Sequence, residues 1–107
     1  MADKQISMHD LYTVFKGLGP NELILDVRTE EEFANAHVPG SRNIPYDSIE
    51  PFADELKKYS RIYVHCQAGR RALIAVNALA GHGLTNLICV TNSGMGDWLA
   101  AGFPVEN

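Results

Sequence analysis

The sequence is poor in cysteine: 2 residues among 107, too few for a disulfide framework, so the fold has to rest on an apolar core. It has no apolar run near the roughly 20 residues that a membrane-spanning helix needs. The opening Met1-Ala2-Asp3-Lys4-Gln5 lacks both the cationic and the apolar region of an export signal, and a cytoplasmic location is expected. Positive charge is scarce. Nine Lys and Arg stand against thirteen Asp and Glu, a formal net charge of -4, without the basic stripe that a nucleic-acid backbone rewards. Repeats, low-complexity stretches and linkers are absent too, so residues 1–107 are expected to form a single domain.

What is there is an ordinary globular composition, 46% hydrophobic and 21% charged, arranged as helix-like and strand-like segments in alternation. Ser7 with Asp10 has the pattern of an N-cap, and Leu11, Val14, Phe15 and Leu18 then share a helical face until Gly19-Pro20. Leu23 to Arg28 reads as a buried strand. Thr29 with Glu32 opens a short helix through about Asn35, Val38-Pro39-Gly40 is a turn, and Arg42-Asn43-Ile44 is briefly extended. Pro51 suits a first helical turn, with Phe52, Leu56 and Tyr59 on the inner face up to a strand at Arg61. A helix carrying Leu73, Ile74, Val76, Asn77, Leu79 and Ala80 ends near Gly81-His82-Gly83. Leu87 to Thr91 is another strand, and Gly94-Met95-Gly96 turns the chain into a last helix with Trp98. Such alternation implies an α/β fold with a mainly parallel sheet covered on both faces, whose ligands sit at the carboxyl ends of strands.

Cys66 falls at such an end. The run Ile62-Tyr63-Val64-His65 stops at Cys66, passes through Gln67-Ala68-Gly69, and becomes helical at Arg70-Arg71. A thiol placed there faces the free N–H groups of a helix N-terminus and two cations, which favour an ionised, exposed sulfur. Such surroundings lower a thiol from about 8.5 to roughly 3.5–7.5, enough for nucleophilic chemistry at neutral pH. The same donors suit a small anion. Cys89, inside Leu87-Ile88-Cys89-Val90, has no glycine or charge beside it and reads as core filling. Asp26 and Arg28 are expected to pair or to cap neighbouring loops, and His37 to fix the Val38-Pro39-Gly40 turn. His65 is expected to point away from the sulfur, since adjacent strand residues face opposite sides. His9 and His82 read as surface, and Trp98 as core.

The chain resembles the rhodanese-like domains, the single-domain sulfurtransferases. The likeness runs through Leu25-Asp26-Val27-Arg28 with Glu31-Glu32-Phe33, Ala36-His37-Val38-Pro39-Gly40-Ser41-Arg42-Asn43-Ile44-Pro45, Val64 to Ala72, and Gly94 to Val105. It implies a three-layer fold around a central, mainly parallel five-stranded sheet, and a catalytic Cys66 that carries sulfur as a persulfide. Gln67, Ala68, Gly69, Arg70 and Arg71 would then bind substrate, with backbone amides pointing inward and Arg70 slightly ahead of Arg71 as the anion's partner. The partners implied are a small anionic sulfur donor such as thiosulfate and a cyanide or thiol acceptor, with a sulfur-accepting protein as a further possibility. Neither a metal nor a cofactor is required. Two positions depart from the family's habit: Ala36 stands where glycine is usual, harmless if its φ is negative, and Ser93-Gly94 stands where many members have two glycines.

Two other readings share this likeness. Phosphatases and arsenate reductases of the same fold place one residue more between cysteine and arginine than the Gln67, Ala68, Gly69 and Arg70 found here, so the tighter ring favours a sulfur atom over a tetrahedral phosphate. Non-enzymatic interaction modules commonly lose the cysteine, which this chain keeps; a persulfide relay to a protein remains the main alternative.

Overall fold

The computed structural model describes residues 4–107. Met1, Ala2 and Asp3, on which the expectation about an export signal partly rests, lie outside the described residues. The chain runs β1 (Lys4–Ile6), α1 (Met8–Lys16), β2 (Glu22–Asp26), α2 (Glu30–Asn35), β3 (Arg42–Asn43), two 3-10 turns (Tyr46–Ser48 and Glu50–Phe52), α3 (Ala53–Leu56), β4 (Arg61–His65), α4 (Arg70–Gly81), β5 (Leu87–Val90) and α5 (Met95–Ala100). Among the described residues no helix is long and apolar enough to cross a membrane.

The strands form one sheet in the order β1-β5-β4-β2-β3, and every pairing in it is parallel. The expected mainly parallel sheet is thus wholly parallel; an isolated antiparallel bridge joins His37 to Glu106 outside the strands. Alternation along each strand separates two cores. Leu23, Leu25, Ile62, Val64, Leu87 and Cys89 pack with Leu56 of α3 and Ala72, Ala75, Val76 and Leu79 of α4. Ile24, Tyr63, Ile88 and Val90 pack on the other side with Met8 and Leu11 of α1 and Met95 and Trp98 of α5. These are the three layers the resemblance implied. Trp98 is fully buried there, and its indole N–H donates to Pro104 O at 2.6 Å.

The caps of α1 and α2 form as their sequences predict. Ser7 Oγ accepts from Asp10 N and Thr29 Oγ1 from Glu32 N, each with the reciprocal bond of a capping box. The segment after Pro51 differs from the expected continuous helix. Phe52 N donates to Ile49 O at 3.0 Å, the tight i to i-3 pattern. The carboxamide of Asn86 then donates to the carbonyls of Leu56 and Tyr59, taking acceptors that a longer α3 would need. Lys4–Ile6 carries no strand signal of its own and becomes β1 only by pairing with β5.

Candidate active site

β4 delivers Cys66 to the carboxyl edge of the sheet at its central position, between β2 and β5. Val64 and Cys66 lie on the α4 side, and Tyr63 lies on the other, so His65 points away from the sulfur as alternation requires. His65 is fully buried. Its Nδ1 lies 3.3 Å from Cys66 O, and its Nε2, 3.8 Å from Asp26 Oδ2, has no hydrogen-bond partner among the described residues. Burial pushes this ring below its ordinary value, with Asp26 pulling the other way, so it stays neutral.

The sulfur itself is not exposed as expected. Cys66 is 1% exposed, because a second loop closes over the first. Met95 N donates to Cys66 O at 2.8 Å and Gly96 N to Gln67 O at 3.3 Å. A Cβ at Gly94 would lie 2.3 Å from Cys66 O and 2.5 Å from Gln67 C and O, so no side chain fits at that contact. Ser93, beside it, serves the fold: its hydroxyl accepts from Met8 N and donates to Thr91 O.

Gly69 N donates to Cys66 Sγ at 3.0 Å. Gly69 reaches this position with φ +117, and a Cβ there would meet Asn92 N at 2.9 Å, so glycine answers both demands. Gly69 is also the N-cap of α4, which has no side-chain cap. The first intrahelical bond runs from Leu73 N to Gly69 O, so the amides of Arg70, Arg71 and Ala72 have no acceptor within the helix. Of the loop amides expected to converge, the one seen on the sulfur is that of Gly69.

The two arginines separate. Arg71 is held by Glu32 of α2, Nη1 to Oε1 at 2.6 Å and Nη2 to Oε2 at 3.0 Å. This pairing is the main reason the Glu32 carboxyl falls to about 2 and the Arg71 guanidinium becomes harder to deprotonate. Arg70 is exposed and has no hydrogen-bond or ion-pair partner among the described residues. Gln67 is half-buried and Ala68 exposed. Arg28 ties the loop to β2: it grips Asp26 through Nε and Nη2 at 2.8–3.0 Å and reaches Ala36 O at 2.7 Å and Gln67 Oε1 at 3.3 Å. Both members of the ion pair are buried.

His37 departs from its expected role. Its backbone exchanges hydrogen bonds with Glu106, its Nδ1 lies 2.8 Å from Phe33 O, and its ring stacks on Phe33. The Val38-Pro39-Gly40 turn is closed instead by Ser41, whose N and Oγ both donate to Val38 O. Ala36 has φ -168, extended backbone open to any residue. His9 and His82 are exposed, as expected. Cys89 is 1% exposed, and burial, helped by the Cys66 charge, pushes its thiol up to about 11. Glu32 is the site residue that sequence reasoning missed. It reads there as a helix cap, and nothing local joins it to Arg71.

The family model described as Rhodanese-like domain matches residues 10–101. The protein YrkF of Bacillus subtilis (strain 168), provisionally named a sulfur carrier protein, is 41% identical over 75 residues; the match covers 70% of this chain and 40% of that one. The chain therefore spans less than half of that relative's length. Thiosulfate sulfurtransferase 16, chloroplastic, of Arabidopsis thaliana is 31% identical, with 77% of this chain and 78% of the relative covered. Among solved structures, a rhodanese-related protein of Thermoplasma volcanium superposes with a TM-score of 0.80 at 29% identity, covering 96% of this chain and 97% of the other.

Proposed function

Because the chain belongs to the rhodanese-like domain family, we propose that it is a sulfurtransferase acting as a single domain through a persulfide on Cys66. The observation that carries this reading is the 3.0 Å bond from Gly69 N to Sγ at the head of an uncapped helix, an arrangement that stabilises negative charge on sulfur. The Cys66 thiolate attacks the outer sulfur of thiosulfate, the S–S bond breaks, and sulfite leaves as a dianion with the bonding pair. The product Cys66–S–S⁻ carries its charge one atom further out, where the first-turn amides of α4 are available. Cyanide or a thiolate then takes the outer sulfur and returns the Cys66 thiolate. Donors fixed in place serve both half-reactions without reorganising. A free nucleophilic thiol needs a reducing compartment, and the cytoplasm suits it.

The experiment is intact-mass spectrometry after thiosulfate treatment, followed by peptide mapping. One added sulfur atom on the Cys66 peptide and none on Cys89 is expected; an unlabelled Cys66, or sulfur on Cys89, overturns the assignment. Arg70, exposed and without a partner, recruits the anion in this reading. Arg70→Ala is expected to raise KM for thiosulfate about fivefold while changing kcat little; equal falls in kcat and kcat/KM place it in the transition state instead.

A second reading, persulfide relay to a protein thiol, draws on Leu73 and Ile74, which are 45% and 43% exposed. They lie three and four positions beyond Arg70 on one face of α4. Slow turnover of thiosulfate together with rapid transfer to one thiol protein distinguishes it.

A further inference from the structure

The two arginines at the mouth do not offer two charges to a ligand. Arg71 spends both Nη groups on both oxygens of Glu32. That carboxylate is itself fixed, since Glu32 Oε1 also accepts from Thr29 N and Thr29 Oγ1, each at 3.1 Å. With its carboxyl near 2, Glu32 is charged at any physiological pH. Of the two, Arg70 has no ion-pair partner among the described residues. A second cation is worth more to a dianion than to a monoanion, because the attraction scales with the ligand's charge. Neutralising Arg71 therefore removes more affinity from thiosulfate than from a hydropersulfide R–S–SH with an uncharged R, whose persulfide group carries at most one negative charge.

We infer that Glu32 is a specificity-determining positioning residue, whose grip on Arg71 tunes the Cys66 site toward hydropersulfide donors and away from dianionic thiosulfate. The inference rests on the sulfurtransferase reading. With such a donor the step is Cys66–S⁻ + R–S–SH giving Cys66–S–SH + R–S⁻: one S–S bond breaks, one forms, and the leaving thiolate takes the electron pair.

The test compares thiosulfate with the hydropersulfide of 2-mercaptoethanol, whose organic part is uncharged. Glu32→Gln keeps the capping box, in which Gln serves as well as Glu, but removes the charge. The ratio of kcat/KM for thiosulfate to that for the persulfide is expected to rise about fivefold, through KM and less at high salt. Glu31→Gln, an exposed neighbour on α2, is expected to leave the ratio unchanged. Arg71→Gln leaves the Glu32 charge facing the mouth and is expected to move the ratio in the opposite direction. If the pair were only a tether between α2 and α4, both site variants would shift the two donors alike; that result, or an unchanged ratio in Glu32→Gln, overturns the inference. Failure of the sulfurtransferase reading is a different result: no sulfur on Cys66 of the unaltered protein from either donor.

Discussion

Cys66→Ala is expected to abolish thiocyanate formation from thiosulfate and cyanide, a loss on the order of 10⁶-fold, as for removal of other covalent nucleophiles. No other group can take its place. Cys89 keeps its proton, pushed up to about 11, and His65 faces the opposite side of the sheet. The fold survives the change, because a single sulfur atom is lost from a site with one hydrogen bond to it, a cost of about 1 kcal/mol. Turnover assays alongside urea denaturation separate the two effects. Substantial residual turnover in a folded variant would defeat the assignment of the nucleophile.

The second large effect falls on stability. Arg28→Ala strips Asp26, fully buried, of its partner, and leaves Ala36 O without the Nη2 donor and Gln67 Oε1 without the Nη1 donor that reach them. Removing one member of a buried pair costs about 3–5 kcal/mol, because the remaining charge cannot be solvated. A domain of this size holds roughly 5–15 kcal/mol in total, so the midpoint of urea unfolding should fall steeply. Adding Asp26→Asn to Arg28→Ala is expected to recover part of the loss, since the stranded charge is then gone. A single-variant loss below about 1 kcal/mol would show that water reaches the pair as it reaches surface ion pairs.

The residues differ in how far they announce these roles. Local signals were enough for α1, α2, α4, β2, β4 and β5, since apolar runs, capping residues and glycines act within a few positions of themselves. The position of Cys66 at the end of β4 was legible for the same reason: strand, glycine and helix follow one another along the chain. The interruption at α3 was not, because Asn86 takes the carbonyls of Leu56 and Tyr59 from about 30 residues away. The role of His37 depends on Glu106, equally remote in sequence. The unequal state of Arg70 and Arg71 depends on Glu32, and adjacent arginines in a sequence carry no mark of which one meets an acid. The second loop over the first depends on Gly94, whose missing side chain lets its backbone touch that of Cys66 and Gln67.

The strand order has a consequence for how the thiol ages. β4 has a neighbour on each side, whereas β1 and β3 are the edges. Fraying that frees an edge leaves the middle of the sheet protected, and amides there exchange only through the largest openings. Cys66 lies one residue beyond β4, under the backbone bonds from Met95 N and Gly96 N. Bulky alkylating reagents therefore need that loop alone to open, and their rate is expected to exceed backbone deuterium uptake in β4.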